Sequence, residues 1–111
     1  MADDNDAQQM IMEMQQNQQQ MQQIVQQKED TKSDLQETKR ALKELEKNDT
    51  GEVYRSVGSI LIAKDRDNLQ GDLEEKVEHL EVRVKSLEKR EKKLEEKIEE
   101  SQKKFTQGMN R

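Results

Sequence analysis

The sequence predicts a mainly α protein: a long antiparallel two-helix coiled coil with one β-hairpin between the helices. Three observations lead there. Apolar residues recur by threes and fours over both ends of the chain. The period drops to two over a short central stretch. The composition leaves no other source of order. Of 111 residues, 41% are charged and 29% hydrophobic, with one Tyr, one Phe and no Trp. That is too little apolar volume for a globular core to offset the entropy of ordering the chain. Disorder and long helices with a narrow seam both fit such a composition. Zero Pro and only four Gly favour the helices.

The first helix is predicted over residues 4–47. Met14, Asn17, Met21, Ile24, Lys28, Thr31, Leu35, Thr38, Leu42 and Leu45 alternate by three and four without a slip, and Met10 extends the series backwards. Such steps place side chains on one helix stripe. Asn, Lys and two Thr interrupt the stripe, so this helix alone is a weak dimeriser. Its first part, MIMEMQQNQQQM, reads in isolation as a low-complexity Gln tract; the heptad series makes it helical.

The hairpin is predicted over residues 52–64, from VYRSVG and SILIAK. Gly58-Ser59 fits a two-residue turn with Gly at its first position. Pairing Val57 with Ile60 puts Val53, Arg55, Val57, Ile60, Ile62 and Lys64 on one face, and Tyr54, Ser56, Leu61 and Ala63 on the other. A lone hairpin is marginal in water and exposes two edges. It is therefore expected to be completed by other chains. Asn48, Asp49 and Gly51 end the first helix, and Asp65, Asp67 or Asn68 can cap the second.

The second helix is predicted over residues 68–106. Leu73, Leu80, Leu87, Leu94 and Ser101 form one row, and Val77, Val84, Glu91, Ile98 and Phe105 the other. The remaining faces are Glu and Lys at i,i+3 and i,i+4 spacing, a solvated surface. A hairpin returns the chain, so the helices pair antiparallel. The best register sets Leu42 against Leu73, Leu35 against Leu80, Thr31 against Val84, Met21 against Leu94, Asn17 against Ile98 and Met10 against Phe105. Lys28 then lies beside the layer of Glu91, and a contact between them is expected to help fix register. Helices of roughly 40 residues are about 60 Å long.

Other classes are excluded or disfavoured. The net charge of −5 and the scarcity of aromatic residues argue against a nucleic-acid or anionic-membrane surface. No apolar run is long enough to cross a bilayer. The acidic start, MADDND, is neither a secretory signal nor a transit peptide. Cys is absent, which removes disulfides and thiol chemistry and fits a cytoplasmic protein. His79 stands alone on a polar helix position. No set of nucleophile, base and oxyanion donors exists, so an enzyme is not expected, and neither is a cofactor or metal.

The central VYRSVGSILI, the Gln-rich first helix and the later LEEKVEHLEVRVKSLEKREKKLEEKI together resemble the β-type subunit of prefoldin, most closely the archaeal kind. The resemblance covers nearly the whole chain as a single prefoldin-like domain. It implies a hexamer of two α-type and four β-type subunits whose hairpins join in a β-barrel platform. It implies an ATP-independent chaperone that holds non-native proteins at its coiled-coil tips and passes them to a group II chaperonin. Residues for the platform would be Val53, Tyr54, Val57, Gly58, Ile60, Leu61 and Ile62. Residues for client holding would be Met10, Ile11, Met12, Met14, Met21, Ile98, Phe105 and Met109. Met10, Met14, Met21 and Phe105 are equally explained as seam residues that pack. Ile11 and Met12 lie off the seam. The competing function is a structural coiled-coil tether or scaffold, which needs no paired β platform.

Overall fold

The computed structural model describes residues 4–48 and 51–109, and side chains over 5–48 and 51–108. The order of elements is α1 (Asp4–Lys47), β1 (Val53–Val57), β2 (Ile60–Lys64) and α2 (Arg66–Met109). Two long helices with a hairpin between them are the expected fold. α2 starts earlier than residue 68 because Asp65 is its cap. The Asp65 side chain accepts from Asp67 N at 3.4 Å, and its carbonyl accepts from Leu69 N at 2.9 Å. Of the three capping candidates, the cap therefore falls on the residue directly after β2, and the helix begins without a linker.

The strands pair antiparallel with Val57 opposite Ile60, Arg55 opposite Ile62 and Val53 opposite Lys64. That register gives the two faces expected from alternation. Gly58 has a φ of 61°. Among the described residues no non-glycine has a positive φ, so the turn is left-handed at its first position and ordinary at Ser59. This is the pattern that matches strand twist and calls for Gly at that position.

The contacts divide the chain into two units, one of residues 30–84 and one of residues 1–29 with 85–111. In the unit that carries the hairpin, Thr31, Thr38, Leu45 and Val84 are buried, and Leu35, Leu42, Leu73, Val77 and Leu80 are half-buried. Thr38 Oγ1 donates back to the Asp34 carbonyl at 2.7 Å, so its burial leaves no unmet hydroxyl. Lys76–Asp34 at 3.4 Å and Lys39–Glu81 at 3.7 Å bridge the helices at the surface. Such exposed pairs are weak and salt-sensitive.

In the other unit, Ile24, Leu87 and Leu94 are buried on the seam. Ile24, Leu94 and Arg90 line one groove, and Met10, Ser101 and Lys104 another. Partners thus run in opposite directions along the two helices, which is antiparallel pairing. Lys28 Nζ lies 2.9 Å from Glu91 Oε2 and 3.1 Å from Oε1. The expected contact forms, and it is a fork rather than a grazing pair. Both side chains are more than four-fifths buried, at 17% and 19% exposure. Removing either partner would leave the other desolvated and unpaired.

The Glu91 hydrogen bond holds the Lys28 ammonium above its ordinary pKa of 10.5. A pKa that is higher folded than unfolded contributes stability in full below the unfolded value. That contribution disappears as pH climbs through the raised folded value. Wild type should therefore lose melting temperature above about pH 10.5 through this contact, a loss missing from Lys28→Met. Thermal melts by circular dichroism from pH 8 to 11.5 check this; parallel pH curves for the two proteins would contradict it.

Candidate functional site

The chain offers uncovered apolar surface in two places.

The first place is the hairpin. Tyr54 is 50% exposed, Val57 52%, Ile60 64%, Leu61 68% and Ile62 44%. These side chains point to both faces of a two-stranded sheet that has no second layer. Val53, at the root, is half-buried, and Gly58 forms the turn. A sheet so apolar on both faces, with two free edges, is matched to other strands. Tyr54 donates a hydrogen bond to the Glu52 carboxylate. That bond pushes the phenol pKa above its ordinary value and keeps Tyr54 un-ionised.

The hairpin is held at its roots by Arg66, whose part in the fold the heptad and strand patterns do not signal. Arg66 Nη2 donates to the Leu45 carbonyl at 2.8 Å, and Nε donates to the Asn48 carbonyl at 3.0 Å. Nη1 reaches Gln70 Oε1 at 3.2 Å. Carbonyls at the C-terminal end of a helix carry partial negative charge, and one guanidinium donates to two there: Leu45 in the last turn of α1, which also accepts from Asn48 N at 3.2 Å, and Asn48 just beyond it. The sequence held a clue. A cation at the first position of a helix is unfavourable for that helix's own dipole, so Arg66 belongs to the other helix. Asn48 adds a second tie, accepting from Gly51 N at 3.1 Å. A Cβ at Gly51 would stand 2.7 Å from the Asn48 amide, so a side chain there would push this tie aside.

The second place is where the helices end furthest, in sequence, from the hairpin. Ile11 is 44% exposed and Met12 59%. Met10, Met14, Met21, Ile98 and Phe105 are half-buried on the seam. Met109 closes α2, and its side chain lies outside the described residues. Met10 and Met12 help line an open groove of about 550 Å³, together with Asp6 and Glu13 of α1 and Lys104 of α2. One further residue belongs here. Val25 is 38% exposed and follows Ile11 by two heptads, so both lie on one outer row. No charged residue occurs from Met14 to Gln27. This uncharged run, which contains Val25, was the signal for it. Val82 is also exposed, at 68%, and nothing in the structure explains it.

A profile of the prefoldin subunit family matches residues 8–110. The chain belongs to the prefoldin family. Its fold is similar to the crystal structure of the prefoldin beta subunit from Thermococcus strain KS-1, with a TM-score of 0.81 and 39% sequence identity. The match covers 92% of this chain and 90% of that one. No curated protein matches the chain. Membership gives this prefoldin subunit a chaperone-type role within a non-enzymatic family. It also implies hetero-oligomeric assembly with other prefoldin subunits. Among the described residues, no helix is long and apolar enough to cross a membrane.

Two substitutions test how the hairpin is held. Arg66→Met removes both carbonyl contacts and should cost about 1–2 kcal/mol in chemical denaturation. Arg66→Lys should restore less than half of that, because an ammonium cannot span the two carbonyls as the fork does. Full rescue by Lys would mean that charge alone matters. Gly58→Ala places a Cβ at positive φ and should cost about 1 kcal/mol, read in the same titration.

Proposed function

We propose that this chain is a β-type subunit of an ATP-independent holdase. Residues 1–111 act as one prefoldin-like domain in the cytoplasm. The hairpin, through Val53, Tyr54, Val57, Gly58, Ile60, Leu61 and Ile62, joins a β platform with two α-type and three further β-type subunits. The helix ends hold non-native proteins through Met10, Ile11, Met12, Met14, Met21, Ile98, Phe105 and Met109. The held protein is delivered to a group II chaperonin.

The observation that carries this reading is the presence of two separate uncovered apolar surfaces of different character. The hairpin is β-branched and stiff, suited to one fixed partner surface. The helix ends are Met-rich, suited to many partners, because Met is flexible and polarizable. Ile11 and Met12 are exposed and lie off the seam, so intramolecular packing does not account for them. A tether would need neither surface.

Mixed with an α-type prefoldin subunit, the chain should give a hetero-hexamer in native mass spectrometry. A lone dimer under all conditions would remove the assembly reading. The assembled protein should suppress aggregation of a thermally unfolding enzyme without ATP. Deleting residues 1–14 and 103–111 should reduce that suppression severalfold while leaving the hexamer intact. Undiminished suppression by the truncated hexamer would show that the helix ends do not hold clients, and a hexamer with no suppression at all would favour the tether.

A further inference from the structure

Polar residues occupy the seam of residues 1–29 with 85–111, and the fold treats them differently. Lys28 and Glu91 satisfy one another. Asn17 is 3% exposed, and its Nδ2 has no hydrogen-bond partner. A polar seam residue that fixes register does so by pairing. Asn17 has no pair, so register is not its role. Its position points to another. Between residues 5 and 16 no side chain is buried; Ala7, Met10 and Met14 are half-buried at most. On α2 the last buried side chain is Leu94, and beyond it Ile98, Ser101 and Phe105 are half-buried. The unpaired amide stands where full burial stops.

We infer that Asn17 is a polar stop at which the outer seam opens, residues 5–16 parting from 98–108 while the seam from Met21 and Leu94 inward stays shut. A desolvated amide without a partner is penalised in the closed form and regains hydrogen bonds to water in the open one. That gain offsets the thin packing that Met10, Met14 and Phe105 give up, and those side chains become available to a client. Opposite charges draw the ends together again where Asp6 and Glu13 of α1 share a groove with Lys104 of α2. Opening is thus a reversible two-state step with a fixed inner limit. It rests on the holding role proposed above for the same residues, and it assigns Asn17 as a positioning residue that acts without touching the client.

The chain has no Cys, so spin labels can be placed at will. Labels at Gln8→Cys and Gln107→Cys report the outer seam, and labels at Gln20→Cys and Lys93→Cys, which line one inner groove, serve as the control. The full chain should show a second, longer distance for the outer pair and a single one for the inner pair. Asn17→Leu should shrink the open population about tenfold, the size expected for one desolvated amide. It should lower aggregation suppression in parallel. Asn17→Met repeats the residue type at positions 14 and 21 and guards against a poor fit of Leu; it should act in the same direction. Equal outer distance distributions in wild type and both variants would overturn the inference. So would closed variants that hold client as well as wild type. A wild type that opens but suppresses no aggregation would remove the holding role and leave the opening step standing, so the two failures are distinguishable.

Discussion

A pair of helices can hide only one stripe of each from water, and in this protein that geometric limit decides nearly everything else. With so few large apolar side chains, the chain cannot build a second layer. Its seam positions alternate between burial and half-burial, and only five apolar side chains are buried among the described residues. The remaining surface must be soluble by its own means. Over α2 it is charged. Over residues 14–27 of α1 it is amide-bearing instead, which is equally wet but exerts no charge on an approaching protein. Glutamine is a sound helix former, so this change of surface chemistry costs the helix little.

The same limit explains why the hairpin is unfinished. A two-stranded sheet between two long helices has nothing of its own to pack against. Its apolar residues are retained on both faces, where a free-standing hairpin would be expected to carry polar ones. The two uncovered regions differ in how much order they bring to a contact. Val, Ile and Tyr on paired strands have few rotamers left to lose. Met side chains on half-buried seam positions keep many. The first kind suits one permanent partner, and the second suits transient contact with unlike sequences.

Most of this architecture was legible in the sequence because it is periodic. Heptad spacing named the seam residues, and every one of them is buried or half-buried. The Gly58-Ser59 turn and the strand register followed from alternation, and the Lys28–Glu91 contact followed from opposing the two series. What stayed hidden was aperiodic. Arg66 is recognisable only as a cation at the wrong end of a helix, and its carbonyl partners belong to residues about twenty positions earlier in the chain. Val25 was masked by the Gln around it, since one apolar side chain on an outer row carries no periodic signal. Asn17 was visible as a polar residue in the seam, but not as an unpaired one. Pairing depends on where the neighbouring donors and acceptors fall, which spacing does not give. The apolar residues near the start of α1 follow the same line: spacing separates Ile11 and Met12 from the seam but assigns no partner to them.

The Arg66 fork also bears on how a hairpin of this size is presented to other subunits. By tying the last carbonyls of α1 to the first residue of α2, it closes residues 48–66 into a non-covalent ring. A hairpin on loose roots would sample many orientations and lose that freedom on docking. Here much of the orientational entropy is removed before any partner arrives, so association should spend less of its binding free energy on ordering. Assembly would then depend on a residue outside the apolar surface it serves. Two chains with identical strands but different residues at this position would differ in how readily they join.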